Sequence, residues 1–353
     1  MADAAMVFHL HRHRKADGRE LLLYGRAVHE GAAGAELPPA GGVPPHLRWH
    51  PLRQEWVGYA GARQARTFLP EESDCPLCPA RDGATGEIPF TDFEIAVFEN
   101  RFPAFAEAGD APGIAGVRSA PARGRCEVVV FSADHRGSLA TLPDERIDLL
   151  IEVWGARIAA LREMGFAAVM PFENRGEEIG VTLHHPHGQI YAFGFVPGQI
   201  ARAAEAQAVA PVIARMIEEA DPALFLHRGA RAVALVPPFA MYPFEVWLAP
   251  RQRVPGPQHL DAEERAELAS ALGDALRRLD RLFGMPMPYI LTVQSAPAGH
   301  DATFHMTIEI KPFRRDRAKL KYLAGVEQGS GVFLVDVPPE EAAARLRAVG
   351  GAR

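Results

Sequence analysis

The residues of this chain best suited to chemistry are histidines grouped in one short segment. The segment runs from Leu183 to Phe193 with the sequence LHHPHGQIYAF, and its histidines are His184, His185 and His187. Because alternate residues of an extended segment share a face, we predict that His185, His187 and Gln189 project to the same side. An arbitrary pair of histidines is more often a surface cluster or a satisfied core pair. The amide on the same face favours a reactive site.

A second chemical feature is the pair Cys75 and Cys78, spaced as C-x-x-C. Alone, this spacing is ambiguous between a zinc site and a redox pair. The chain has three cysteines and no second C-x-x-C, so a zinc site would need histidines, and His135 and His185 are suitable. Two cysteines and two histidines form a common structural zinc site. The third cysteine, Cys126, lies in an apolar strand and is predicted to be core.

The composition limits the class of protein. A chain of 353 residues is long enough for two domains or one large two-lobed domain, and 48% apolar and 23% charged residues are typical of a globular protein. The formal net charge of -6 argues against a nucleic-acid binder that depends on a basic face. No apolar run approaches the roughly 18 residues of a membrane span. The segment from Met1 to Lys15 does not resemble a signal peptide, and three cysteines fit a reducing compartment, so we expect a cytoplasmic protein.

The second half of the chain repeats the pattern of the first. The run 126–130 (CEVVV) resembles 244–248 (FEVWL), so that Glu127 corresponds to Glu245. Acidic residues open an amphipathic helix in each half, over 142–164 and from 263 to about 282. His185 aligns with His305 in a later strand of the second half. The nearly constant spacing of these matches predicts two copies of one β-α-β unit.

The run His185-Pro186-His187-Gly188-Gln189 resembles the active-site signature of the galactose-1-phosphate uridylyltransferases, a branch of the histidine-triad superfamily. The resemblance extends over roughly residues 48–349. With the repeat, it implies an α+β fold of two tandem histidine-triad-like β-α-β repeats, with antiparallel sheets flanked by helices. We expect one repeat in residues 1–196, with the zinc site and the nucleophile, and one in 197–353 without the nucleophile.

The resemblance also implies a reaction. The family exchanges UMP between UDP-glucose and galactose-1-phosphate in galactose metabolism, by a ping-pong route through a covalent uridylyl-histidine. His187 is the matching nucleophile, and Gln189 is placed to donate its amide N–H to a phosphoryl oxygen. In the family, zinc is structural and its matching ligands are Cys75, Cys78, His135 and His185. The family further implies a homodimer with sites shared between subunits.

The substrate-binding residues are carried over position by position. Two arginines three apart are usually solvated charge, but a guanidinium also matches phosphate oxygens, and the family has an arginine pair here. The resemblance implies phosphate contacts from Arg63, Arg66, Asn174 and Thr182, uridine contacts from Phe98 and Asn100, and apolar walls from Leu77 and Val128. Lys321 and Glu327 match residues that reach the substrate of the neighbouring subunit.

The sequence departs from the family in several places, and other functions stay open. Thr182 stands where many members have a serine, and Val181 where some have a cysteine. Three histidines that bind a second metal in some members are replaced by Gln294, Thr307 and Glu309, so we expect no such site. The alternatives are a related nucleotidyl phosphorylase or adenylyltransferase acting on an ADP-sugar or dinucleoside polyphosphate, a histidine-triad hydrolase, and a zinc-stabilised binding module without catalysis.

Overall fold

The structure is a computed structural model that describes residues 8–31, 33–38, 43–81, 85–107 and 109–350. The strands are β1 (His9–Arg14), β2 (Glu20–Gly25), β3 (His46–His50), β4 (Glu55–Tyr59), β5 (Ile95–Glu99), β6 (Ser119–Pro121), β7 (Gly124–Val130), β8 (Ala168–Arg175), β9 (His187–Phe193), β10 (Phe225–Arg228), β11 (Ala232–Leu235), β12 (Val246–Pro250), β13 (Tyr289–Gln294) and β14 (Thr307–Pro312). The helices are α1 (Asp144–Glu163), α2 (Gly198–Val209), α3 (Val212–Glu219), α4 (Ala262–Leu282), α5 (Gly325–Ser330) and α6 (Pro339–Ala348).

One large antiparallel sheet organises the chain. Its 11 strands follow the order β1-β2-β5-β7-β9-β8-β13-β14-β12-β11-β10, and β4, β3 and β6 form a separate small sheet. The set β7-β9-β8 in the first half is mirrored by β12-β14-β13 in the second, and the halves meet where β8 pairs with β13. The predicted α+β architecture with two β-α-β repeats is confirmed, with the two repeats joined in a single sheet.

The two halves share a pairing register. Gln189 of β9 lies opposite Phe172 of β8, and Glu309 of β14 lies opposite Thr292 of β13. Each residue of the second pair is 120 positions beyond its counterpart in the first (189 to 309, 172 to 292). This offset is the one that aligns His305 with His185, so the predicted correspondence of these two histidines agrees with the strand pairing.

The predicted correspondence of Glu127 with Glu245 is wrong by one residue. Glu127 of β7 lies opposite Ile190 of β9. In the second half, the residue opposite Ile310 is Val246, which is therefore the structural counterpart of Glu127. A shift of one residue in a strand moves a side chain to the other face of the sheet.

The two glutamates consequently have different hydrogen-bond partners on opposite faces of the sheet. Glu127 faces α1, where its carboxylate accepts hydrogen bonds from Arg157 Nε and Nη2 at 2.9 and 2.6 Å. Glu245 faces the opposite side of the sheet and accepts a hydrogen bond of 2.7 Å from Trp247 Nε1. Each buried carboxylate has a donor, as burial requires.

Helices α1 and α4 cover one face of the sheet, close to the ranges predicted from their apolar periodicity. A capping box begins α4, in which Asp261 accepts from Glu264 N at 2.8 Å and Glu264 accepts from Asp261 N at 3.0 Å. The apolar sides of both helices, including Trp154 and Leu272, pack into the main core with the sheet. Among the described residues, no helix is long and apolar enough to cross a membrane.

The opposite face of the sheet differs between the halves. In the second half it is covered by helix α3, whose Ile213 and Ile217 pack against Val233 and Leu235 of β11. In the first half, the segment around Cys75 packs on the sheet in a separate cluster with strand residues of β2, β5 and β7. His187, the first residue of β9, lies opposite Val130 of this cluster.

Candidate active site

Four potential metal ligands converge at the start of β9. Cys75 and Cys78 follow a short 3-10 turn, His135 follows β7, and His185 lies two residues before the start of β9. Their ligand atoms all lie within 4.8 Å of one another. Nδ1 of His185 is 3.5 Å from the Cys78 sulfur and 3.9 Å from the Cys75 sulfur, and Nδ1 of His135 is 3.4 Å from the Cys78 sulfur. The four residues therefore form a cluster that could hold a metal ion.

The surroundings of the cluster suit a cation. His185 Nε2 lies 2.8 Å from the carbonyl oxygen of Ser132, so an N–H at that position leaves Nδ1 as a lone-pair donor toward the cysteines. Burial lowers the pKa of His185 to about 4, which keeps the ring neutral. Burial, reinforced by the adjacent Cys75, raises the pKa of the Cys78 thiol to about 12. Two buried sulfurs disfavour thiolate charge unless a cation neutralises it, and that is the role a metal would fill.

His187 stands two residues beyond the cluster with its tautomer fixed. Its Nδ1 is 2.8 Å from the carbonyl oxygen of His185, which can only accept, so Nδ1 carries the hydrogen and Nε2 keeps its lone pair. Burial lowers the pKa of His187, which favours the neutral ring. Gly188 lets the strand pack closely here, since a Cβ at that position would lie 2.7 Å from the carbonyl oxygen of Phe172.

Three cavities meet at His187. An apolar cavity of about 100 Å³, a polar cavity of about 170 Å³ and a wider cleft of about 640 Å³ all include this histidine in their walls. Gln189 and Thr182 line both the apolar and the polar cavity. An imidazole with a free nitrogen thus lies where an apolar group, an anionic group and a further substituent of one ligand can be bound together.

The apolar cavity takes its walls from neighbouring strands. Phe98 of β5 lies opposite Val128 of β7, which in turn lies opposite Gln189 of β9, so the three side chains share one face. Leu77, from the segment that carries Cys75 and Cys78, covers this row. Asn100 lines the same cavity at the end of β5, and its Oδ1 accepts a hydrogen bond of 2.8 Å from Phe102 N.

The polar cavity is lined by two arginines. Arg63 lies in the 3-10 turn Gly61–Ala65, and Arg66 follows it. Nε of Arg66 donates a hydrogen bond of 3.0 Å to the carbonyl oxygen of Arg63, which leaves its terminal nitrogens available. Asn174 and Thr182 supply neutral polar groups to the same walls. Guanidinium groups match the geometry of phosphate oxygens, so this cavity has the chemistry that an anionic group requires.

The wider cleft reaches the junction of the two halves. Its wall includes Glu173 of β8, which accepts a hydrogen bond of 2.8 Å from the hydroxyl of Tyr289 on β13. Burial raises the pKa of Glu173 to about 7. Arg175 of the same strand forms a bidentate ion pair with Asp280 of α4, in which Nη1 and Nη2 donate to Oδ1 and Oδ2 at 2.7 and 3.0 Å. These contacts fix β8, which carries Asn174, against the second half.

Family models match almost the whole chain. The model for the N-terminal domain of galactose-1-phosphate uridyl transferase matches residues 11–197, and the model for the C-terminal domain matches residues 216–352. This chain belongs to the galactose-1-phosphate uridylyltransferase family. The resemblance inferred from the HPHGQ run is therefore confirmed.

Individual members of the uridylyltransferase family resemble the chain over its length. A galactose-1-phosphate uridylyltransferase of Thermotoga maritima is 35% identical over 317 residues, covering 85% of this chain and 97% of the relative. One from Streptomyces lividans is 35% identical over 365 residues, covering 95% and 96%. A solved uridylyltransferase structure is 30% identical with a TM-score of 0.76, covering 86% of this chain and 98% of that one.

The sequence-predicted uridylyltransferase residues fall into two groups. Most lie around His187, in the walls of the cavities or in the metal cluster beside it. Lys321 and Glu327 do not line those cavities; they form a buried ion pair with each other, and Lys321 Nζ also donates to Leu334 O at 2.7 Å. Within one chain, these two residues therefore lie outside the cavities around His187.

Sequence reasoning missed some residues that line the site. Tyr191 projects into the polar cavity, and its position two residues after Gln189 on one strand was a usable signal. Glu87 lines the apolar cavity and pairs with the buried Lys15 beneath Phe98. No local pattern indicates this pair, because Lys15 and Glu87 are brought together only by the tertiary fold.

Proposed function

We propose that this chain exchanges UMP between UDP-glucose and galactose-1-phosphate through a covalent uridylyl group on His187. The observation that carries the proposal is the position of one neutral imidazole, with Nδ1 fixed and Nε2 free, between an apolar and an arginine-lined cavity. A nucleotide sugar has a matching arrangement, since its α-phosphorus lies between a nucleoside and a second phosphate.

In the first half-reaction the Nε2 lone pair of His187 attacks the α-phosphorus of UDP-glucose. A P–N bond forms while the P–O bond to the β-phosphate breaks, and the electron pair leaves with glucose-1-phosphate. In the second half-reaction a phosphate oxygen of galactose-1-phosphate attacks the same phosphorus, and the P–N electrons return to Nε2. The scheme needs no change in oxidation state, and two easier steps replace one difficult displacement.

The cavity walls supply the binding groups. Uridine would occupy the apolar cavity with Leu77, Phe98, Asn100 and Val128, and the phosphates would lie with Arg63, Arg66, Asn174 and Thr182. Gln189 lines both cavities beside the nucleophile, where its amide N–H can donate to an oxygen of the transferring phosphoryl group. Donors fixed in advance at a developing negative charge are an effective source of catalysis.

The metal in the proposal is a structural zinc ion held by Cys75, Cys78, His135 and His185. Zinc favours four sulfur and nitrogen ligands in tetrahedral geometry, and the compact Cys2His2 cluster supplies that set. When bound, the ion would join three segments of chain and fix the backbone directly before His187. The nucleophile itself is left outside the ligand set.

The assembly in the proposal is a homodimer with shared sites. Because Lys321 and Glu327 do not reach the cavities of their own chain, a substrate contact from them requires a second subunit. The surrounding segment also exposes Tyr322 (68%) and Leu334 (53%), which a partner would cover. The proposal also includes a division of the chain into 1–196 and 197–353 and a cytoplasmic location, which suits three buried cysteines that are not joined by a disulfide.

The test is an exchange assay with purified protein. With UDP-glucose and galactose-1-phosphate, we expect UDP-galactose and glucose-1-phosphate to form in equal amounts. A parallel reaction offers ADP-glucose with inorganic phosphate, the pair that a related nucleotidyl phosphorylase would use. Turnover of ADP-glucose with none of UDP-glucose would overturn the proposal in favour of the phosphorylase.

A further inference from the structure

Tyr191 joins the catalytic strand to the arginine turn. Its hydroxyl oxygen accepts a hydrogen bond of 2.9 Å from Arg63 Nη1. Its ring packs edge-on against Phe172 and Phe105, with centroid distances of 5.0 and 6.0 Å. Tyr191 is also two residues from Gln189 on β9 and lines the polar cavity. A rigid, packed side chain thus holds one nitrogen of the Arg63 guanidinium.

The backbone supplies a second attachment for the same segment. The amide of Leu69 donates a hydrogen bond of 2.8 Å to the carbonyl oxygen of Thr182, just before the histidine run. Leu69 has a φ of 43°, an unfavourable value for leucine that the surrounding contacts must maintain. The segment from Arg63 to Leu69 is therefore attached to both ends of the catalytic region, by its backbone at Thr182 and by a side chain at Tyr191.

The two arginines lie differently with respect to the cavities. Arg66 lines both the apolar and the polar cavity, so it is within reach of the phosphate attached to the nucleoside. Arg63 lines only the polar cavity. With Nη1 engaged by Tyr191, Arg63 retains its other nitrogens for an anion on the far side from the nucleoside.

We propose that Tyr191 is a positioning residue that fixes Arg63 for the phosphate of the hexose 1-phosphate, a role that rests on the proposed uridylyl transfer. The hydroxyl accepts one N–H of Arg63 and so selects one orientation of its planar group. The incoming or departing hexose phosphate then meets a guanidinium that is already ordered, which reduces the entropy lost on binding. Burial raises the pKa of Tyr191 to about 12, so the hydroxyl stays neutral throughout the working range.

The direct test is Tyr191→Phe, which keeps the ring and removes the hydroxyl. We expect the KM for galactose-1-phosphate to rise about tenfold, the scale of one lost hydrogen bond to a charged group. Affinity for uridine, measured by titration, and the melting temperature should remain close to those of the parent. The matched control is Tyr59→Phe, on the small sheet outside these cavities, which should leave the KM unchanged.

A double-mutant cycle separates positioning from general packing. In an Arg63→Met background, Tyr191→Phe should change the KM for galactose-1-phosphate less than twofold, because the group it positions is absent. Independent, multiplying effects would overturn the proposal, as would an unchanged KM in the single variant or an equal loss of uridine affinity. Failure of the proposed function is recognised separately, because the parent protein would then show no exchange with galactose-1-phosphate.

Discussion

Two histidines two residues apart are given opposite tautomers by backbone carbonyls. The carbonyl of Ser132 accepts at Nε2 of His185 and leaves Nδ1 toward the cysteines. The carbonyl of His185 accepts at Nδ1 of His187 and leaves Nε2 toward the cavities. One ring is thereby suited to a metal and the other to phosphorus, although both are neutral and lie on the same segment.

Gln189 provides a prediction at the scale of one residue. Gln189→Ala should slow UMP transfer about 10²-fold, the usual cost of losing one donor to a developing negative charge. Single-turnover rates of uridylylation measure this step without product release. Gln252→Ala, at an exposed position of the second half, is the control and should retain the parental rate. A Gln189→Ala rate within twofold of the parent would show that the amide does not assist transfer.

Sequence alone could predict most of the site at this scale, because period-two alternation and a family signature both apply to β9. Alternation puts His187 and Gln189 on one face, and the same rule extends to Tyr191. It cannot reveal that Tyr191 bonds Arg63, 128 positions away along the chain. Glu87 and Lys15 are likewise separated by 72 positions, and only their burial in the fold makes them partners.

At the scale of elements, the candidate metal cluster brings together three segments of the first half. It combines the turn at Cys75, the loop after β7 and the start of β9. Because a bound metal stabilises only the folded chain, its binding free energy adds to stability. The position of His187 would then depend on an ion that takes no part in the reaction.

We predict that purified protein contains about one zinc ion per chain. Removal by a chelator should lower the melting temperature and the activity, and added zinc should restore both. His185→Ala should reproduce the loss with no rescue, because a ligand is missing, whereas the exposed His259→Ala should behave like the parent. Metal analysis and thermal unfolding make the measurement. A zinc-free protein of full stability and activity would contradict this role.

The junction of β8 and β13 should show a pH-dependent stability. Burial raises the folded-state pKa of Glu173 from 4.5 to about 7. Between pH 4.5 and about pH 7, the carboxyl of Glu173 is protonated in the folded chain and ionised in the unfolded chain. Its contribution to stability therefore falls as pH rises. Above about pH 7, ionised Glu173 lowers the free energy of unfolding by on the order of 3 kcal/mol, at 1.36 kcal/mol per pKa unit.

Glu173→Gln removes the titration and keeps an acceptor for Tyr289. The free energy of unfolding of the variant, relative to the parent, should therefore increase from pH 5 to pH 8. Urea denaturation at several pH values provides the measurement, with the exposed Glu163→Gln as control. A difference between variant and parent that is the same at pH 5 and pH 8 would exclude this explanation.

At the scale of the whole molecule, the repeat and the alignment of β9 with β14 were predictable, but the alignment of β7 with β12 was not. Matching letters in the two halves identified two copies of one unit, and the strand order β7-β9-β8 and β12-β14-β13 agrees. The same matching aligned Glu127 with Glu245, one residue from the true pairing. Residue type alone does not show which face of a strand a side chain occupies. For Glu127, the face is set by the packing of β7 against α1.

The second half has the same strand arrangement as the first but different side chains at the positions of the site. His305 retains the contact of its counterpart, with Nε2 2.9 Å from the carbonyl oxygen of Pro250. Thr307 and Glu309 take the places of His187 and Gln189, and they hydrogen-bond to each other at 3.2 Å. Because a threonine and not a histidine occupies the position that corresponds to His187, the second half has no imidazole there.

The assembly prediction concerns the exposed apolar segment near the C-terminus. We expect sedimentation to show a dimer, because Tyr322 (68% exposed) and Val326 (45%) need a covering surface. Tyr322→Ser with Val326→Ser should shift the protein toward monomer and lower its activity. Val209→Ser, at an apolar side chain of α2 that is 89% exposed and lies outside this segment, should leave the dimer intact. A fully active monomer would contradict shared sites.

The central claim is that His187 carries the transferred nucleotide. The most direct measurement is mass spectrometry of the protein after exposure to UDP-glucose without an acceptor, with peptide mapping of the adduct. We predict one UMP per active site on His187, lost when galactose-1-phosphate is added, and neither an adduct nor exchange in His187→Gly, which should still fold and bind its metal. An adduct on another residue, or normal turnover by His187→Gly, would contradict the covalent mechanism.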